Sequence, residues 1–290
     1  METAYLDGME LEYEDRGIGE PVLFIPTGPI ADSFLPLFHQ DALTRRHRMV
    51  RYHQRGQVGS SGGANTTFGD HARDAAALLA YLGIERAHVA GHSTGAAIAL
   101  QLAVEHPGLV HSLALLEPPL SSVPSARSFF EQAGPALEAY QSGETERAMT
   151  DFLSLVGGLS WETCRKTIDE QVPGGSEQAM KDAGNFFGTV LPGLSSWQFD
   201  IGRARAIDCP VLSVLGTRSA RLFTEAHQTL RAWFPSSDEL VIEGVGHLLH
   251  LERPEPVALG IAEFLARHTF AARQASLDSL AKEMQARTAS

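Results

Sequence analysis

Cysteine is almost missing from this 290-residue chain. Cys164 and Cys209 stand far apart, in no C-x-x-C or His-rich cluster. Neither a disulfide framework nor a zinc site is expected, and both residues read as free buried thiols. Nothing in the sequence implies a metal or an organic cofactor. Long apolar runs are missing as well: none approaches the roughly 20 residues needed to span a bilayer. The opening Met1-Glu2-Thr3-Ala4-Tyr5-Leu6-Asp7 lacks the basic and apolar regions of a secretory leader, so a cytoplasmic location is the expectation. Positive charge is scarce, with 23 Lys+Arg against 35 Asp+Glu and a net charge of −12. An acidic surface repels phosphate backbones and anionic lipid. That argues against nucleic acid and membrane surfaces as partners and leaves a small-molecule ligand.

What is present is an alternation of strand and helix patterns, which implies a mostly parallel central sheet flanked by helices. Tyr5-Leu6 and Met9 to Tyr13 flank an Asp7-Gly8 turn and predict an opening hairpin. Val22 to Ile25 and Arg48 to Tyr52 predict strands. Thr67 to Leu82 predicts a helix whose apolar face carries Ala72, Ala75, Ala76, Leu79 and Leu82. Ala87 to Ala90 and Leu113 to Leu116 are further strands, with a helix from Ala96 to His106 between them. After a strandless stretch the sheet resumes at Val211 to Leu215. A helix near Thr224 to Trp233, a strand at Glu239 to Ile242 and a helix from Glu255 to about His268 follow.

The strandless stretch divides the chain. Residues 1–119 and 206–270 read as one core domain, and 120–205 as a helical cap inserted into it. The cap holds many of the aromatics, Phe129, Phe130, Tyr140, Phe152, Trp161, Phe186, Phe187, Trp197 and Phe199 among them. Most are expected to pack the cap itself and a minority to face a cleft at the domain junction. Residues 271–290 form an extension in which Leu277, Leu280, Ala281 and Met284 fall at helical spacing. That pattern suits a helix docked on a partner, a second copy included, or a frayed tail.

Gly91-His92-Ser93-Thr94-Gly95 carries the chemistry. G-x-S-x-G is weak by itself, but here an apolar strand enters it and a helix of small residues leaves it. A sharp strand-to-helix turn would expose the Ser93 hydroxyl at the carboxyl edge of the sheet, above a helix N-terminus that favours negative charge. A serine hydroxyl needs a base. Among the 12 histidines, His247 has the right setting, in a loop at the carboxyl end of the last strand. His250, three residues on, reads as a packing or surface histidine.

These features, with the Arg55-Gly56-x-x-Gly59-Ser60 loop and Glu252-Arg253-Pro254 after Gly246-His247, resemble the α/β-hydrolase family over roughly Tyr5 to His268. The resemblance implies an α/β-hydrolase fold and a serine enzyme with a third, acidic residue to orient the imidazole. In most of that family the acid is an Asp shortly after the strand that follows the cap. Here that place holds Ser219, and no carboxylate occurs before Glu225. Glu117, at the carboxyl end of Leu113 to Leu116, starts on the correct edge and preserves the order Ser, acid, His. Asp208 lies at the opposite edge, and Glu243 sits too close to His247 in the last strand. A Glu acid at this strand is similar to a branch of the family that includes a fungal zearalenone lactonase. The Pro26-Thr27-Gly28 segment also resembles that branch.

Two backbone N–H groups must meet the developing oxyanion. Thr94 supplies one. Pro26 and Pro29 have no N–H, so Gly28 is the favoured second donor and Thr27 the reserve. The expectation is a hydrolase for a carboxylic ester or lactone. The alternatives are carbon–carbon bond hydrolysis or lyase chemistry on the same residues, and a non-catalytic ligand receptor.

Overall fold

The Asp7-Gly8 hairpin and the apolar strands join in one sheet. A computed structural model of the chain describes residues 1–273 and residue 275. The strands are β1 (Glu2–Leu6), β2 (Met9–Arg16), β3 (Glu20–Ile25), β4 (His47–Tyr52), β5 (Ala87–His92), β6 (Val110–Leu116), β7 (Val211–Gly216) and β8 (Asp238–Ile242). Their order is β1-β2-β4-β3-β5-β6-β7-β8; β2 pairs antiparallel with β1 and β4, and every other pair is parallel.

The helices before the long insertion are α1 (Asp41–Thr44), α2 (Phe68–Tyr81) and α3 (Thr94–Glu105). Between β6 and β7 come α4 (Ala126–Gln141), α5 (Thr145–Gly157), α6 (Trp161–Gln171), α7 (Gly175–Lys181), α8 (Ala183–Asn185), a π-turn at Phe186–Val190, α9 (Leu191–Ser196) and α10 (Ile201–Ala204). After β7 follow α11 (Arg221–Trp233), α12 (Leu249–Glu252) and α13 (Pro254–Arg267).

Strand alternation sets the two core layers. Val22 and Phe24 join Met49, Leu116 and Val214 under Val257, Ile261 and Phe264 of α13. Leu23 and Ile25 point the other way, to Val89, Leu113 and the small residues of α2 and α3. A sheet covered on both faces explains why its inner strands are almost continuously apolar. The polar exceptions have partners. His88 Nδ1 and Ser112 Oγ are 2.7 Å apart, and β6 begins at Val110, opposite Ala87, earlier than the apolar run alone indicates.

Because the strands from β3 to β8 are parallel, the segments after Ile25, His92, Leu116, Gly216 and Ile242 all open at one edge. The inserted helices are tied to the core there. Trp197 Nε1 and Arg203 Nη2 both donate to Gln101 Oε1 of α3, at 2.9 and 2.8 Å. No helix among the described residues is long and apolar enough to cross a membrane. The helical spacing of Leu277 to Met284 lies outside the described residues.

Candidate active site

Ser93 follows β5 and caps α3 with φ +53° and ψ −121°, a conformation costly for a residue with a side chain. Its N–H donates to Leu116 O at 2.9 Å, and its carbonyl accepts from Ala96 N at 2.9 Å, so both neighbours hold the turn. Only glycine fits on either side. A Cβ on Gly91 would lie 2.8 Å from Ala96 Cα, and one on Gly95 would collide with the carbonyls of Ile25 and Pro26. The helix consequently starts at Thr94, directly after Ser93, rather than at Ala96.

Glu117 follows β6 with φ +50° and is 2% exposed. Its Oε2 lies 2.6 Å from His247 Nδ1. Its Oε1 accepts from Gly216 N at 2.7 Å and Ser219 Oγ at 2.6 Å. The carboxylate thus bridges β6, the loop after β7 and the loop after β8. Asp208 stays distant, paired with Arg273, and Glu243 is exposed.

His247 is buried, and its ring lies face to face with Phe223 at the start of α11, 3.8 Å between centroids and 10° from parallel. Its carbonyl accepts from His92 Nε2 at 2.9 Å. Among the described residues the Ser93 hydroxyl makes no hydrogen bond to His247, although both line one cavity. Such contacts are often loose at rest and tighten with substrate. Burial pushes the Glu117 carboxyl above its usual range, against the Ser219 and Gly216 hydrogen bonds, and pushes the imidazole below its own. His250 is fully buried among Phe34 and His92, a packing histidine.

The cavity is tight, with a volume of about 30 Å³. Thr27, His92, Ser93, Thr94 and His247 form its polar wall. Phe129, Phe130, Phe152 and Phe186 reach it from the inserted helices, so four of the nine aromatics singled out in the sequence face it. No Asp, Glu, Lys or Arg lines it.

Gly28 is placed differently from the expected arrangement. Its N–H donates to Thr94 Oγ1 at 2.7 Å, while Thr27 lines the cavity and makes a long 3.4 Å bond to buried Ser33 Oγ. Two residues that sequence reasoning missed brace this loop. Gln54 Nε2 donates to Pro26 O at 2.6 Å, and Gln57 Nε2 donates to Gly28 O. The peptide carrying the Gly28 N–H is therefore held on both flanks. The only sequence signal was two glutamines beside Arg55-Gly56. Phe223 was missed because no spacing rule places α11 over an imidazole.

Among known proteins, the family model described as alpha/beta hydrolase fold matches residues 20–254. A relative named "Putative non-heme bromoperoxidase BpoC", from Mycobacterium tuberculosis, is 30% identical over 267 residues, 89% of this chain and 98% of that protein. Two solved structures share the fold. An esterase from Thermogutta terrifontis has a TM-score of 0.74 at 22% identity, over 92% of this chain and 98% of its own. Est816, titled an N-acyl homoserine lactone degrading enzyme, has a TM-score of 0.66 at 23% identity, over 92% of this chain and all (100%) of its own.

Proposed function

The chain belongs to the α/β-hydrolase fold family, and from that premise we propose that it is a serine hydrolase for uncharged carboxylic esters or lactones, with Ser93 as nucleophile, His247 as base and Glu117 as acid. The observation that carries the reading is the 2.6 Å Glu117–His247 bond in the wall of a cavity that Ser93 also lines. The esterase and lactone-degrading activities in the names of the two similar structures accord with it.

In this mechanism His247 Nε2 takes the Ser93 proton as Oγ attacks the substrate carbonyl. Glu117 remains ionised, keeps the Nδ1–H tautomer and stabilises the imidazolium. The carbonyl oxygen takes the place of Thr94 Oγ1 on the Gly28 N–H, and the Thr94 N–H, free of any intrahelical acceptor, is the second donor. His247 then protonates the leaving alkoxide, the C–O bond breaks, and an acyl group remains on Ser93. Water, deprotonated by His247, releases the acid and restores the serine.

Fluorophosphonate should label Ser93, and hydrolysis of p-nitrophenyl acetate should fall at least a thousandfold in Ser93→Ala and His247→Ala. Full activity in either variant would refute the assignment. Well-folded protein that resists labelling would point instead to a receptor.

A further inference from the structure

A second apolar depression adjoins the cavity. It lies between α4 and α9, has a volume of about 270 Å³, and is walled by Phe130, Ala133, Gly134 and Leu137 on one side and Leu191 and Pro192 on the other. Phe130 and Leu191 also line the cavity, so the two spaces share a wall. Both shared residues are half-buried, whereas Phe129 and Leu194 behind them are buried. The remaining lining residue, Ser195, turns its hydroxyl to Pro192 O at 2.8 Å. No charged side chain lines the groove.

Its origin is local. Pro135 lies inside α4, where it has no N–H to return to the preceding turn. The π-turn at Phe186–Val190 runs straight into α9. α4 packs chiefly on α5 rather than on α9. A slot is left between α4 and α9, with Phe130 and Leu191 standing between it and the cavity.

We propose that this groove is the subsite for an extended apolar chain of the substrate, whose ester or lactone carbonyl lies at Ser93. The chain passes Phe130 and Leu191 and lies along α4. This rests on the ester or lactone reading of the cavity. The ligand chemistry follows from the lining, since a wall without charge and with its hydroxyl already satisfied repays methylenes and nothing else. Each methylene that enters should raise kcat/KM up to about fourfold.

The test is the chain-length profile. Wild-type protein is assayed with p-nitrophenyl esters from acetate to decanoate, and with acetate esters of alcohols from methanol to decanol. A rise along the first series assigns the groove to the acyl chain, and along the second to the alcohol. Gly134→Trp and Ser195→Trp fill the slot from opposite walls. A Cβ at Gly134 meets nothing within 4 Å, so the new side chain leaves the helix without a backbone clash. Each variant should lose at least tenfold on the longest ester and stay within twofold of wild type on acetate. A flat wild-type profile in both series, or an unchanged profile in both variants, overturns the proposal. Decanol binding to Ser93→Ala protein, measured by calorimetry, separates this subsite from the hydrolase reading. Binding weakened tenfold by Gly134→Trp supports the groove even if no ester is cleaved. Binding that ignores the substitution counts against it.

Discussion

Ser219 stands where the family resemblance leads one to expect an acid, and it donates to the Glu117 carboxylate that arrives from β6. Its hydroxyl and the Gly216 N–H occupy Glu117 Oε1 and leave Oε2 for His247. Both donors stabilise the carboxylate against a burial that favours its protonated form. The proposed active pair is ionised Glu117 with neutral His247, so activity should rise with pH as the pair gives up its last proton. Ser219→Ala removes a donor that favours the carboxylate and therefore raises that apparent pKa. The acid limb of kcat/KM should move to higher pH, with about a tenfold loss at neutral pH from one charge-assisted hydrogen bond. A limb that stays in place or moves lower would contradict this role. Phe223, flat against the imidazole, is placed to stabilise its cationic form from the ring face.

At the scale of loops and helices, the segment after β3 depends on the glutamines after β4. Gln54→Ala leaves the Pro26 carbonyl without its donor and should cost about 1–3 kcal/mol in urea unfolding. It should also lower kcat by about tenfold with little change in KM, because oxyanion donors act mainly in the transition state. A raised KM at constant kcat would show that the brace serves binding instead. The strands, and the edge at which Ser93, Glu117 and His247 meet, were legible because apolar runs and βα alternation are local signals. Glu117 could be reached by edge logic alone, since a residue ending β6 must emerge beside one ending β5. The Gln54 and Gln57 contacts were not legible, because an amide's reach across two loops depends on how the loops pack. Nor was the Gly28 bond to Thr94 Oγ1, which is set by a side-chain rotamer inside the cavity.

Across the whole molecule, burial pulls seven histidines below the usual imidazole range: His47, His71, His88, His92, His111, His247 and His250. Below pH ~6.5 the unfolded chain takes up protons on these residues and the folded chain does not, so stability is lost as pH falls. A fully buried histidine such as His92 or His250 contributes up to about 1.4 kcal/mol per pH unit. Raised carboxyls at Glu117, Asp74 and Asp182 act in the opposite sense but are fewer. Urea midpoints should therefore drop between pH 7.5 and pH 5, and a flat profile would rule this balance out. The sheet carries a different consequence. Ser93 and Glu117 close neighbouring strands, tied by the Ser93 N–H to Leu116 O, before the chain enters the inserted helices. Their spacing is a property of the β-ladder and is set before the chain reaches Ala126–Ala204. The proposed nucleophile and its acid therefore lie within one short, unbroken run of chain, and a change of residue in the later helices leaves that run's ladder intact.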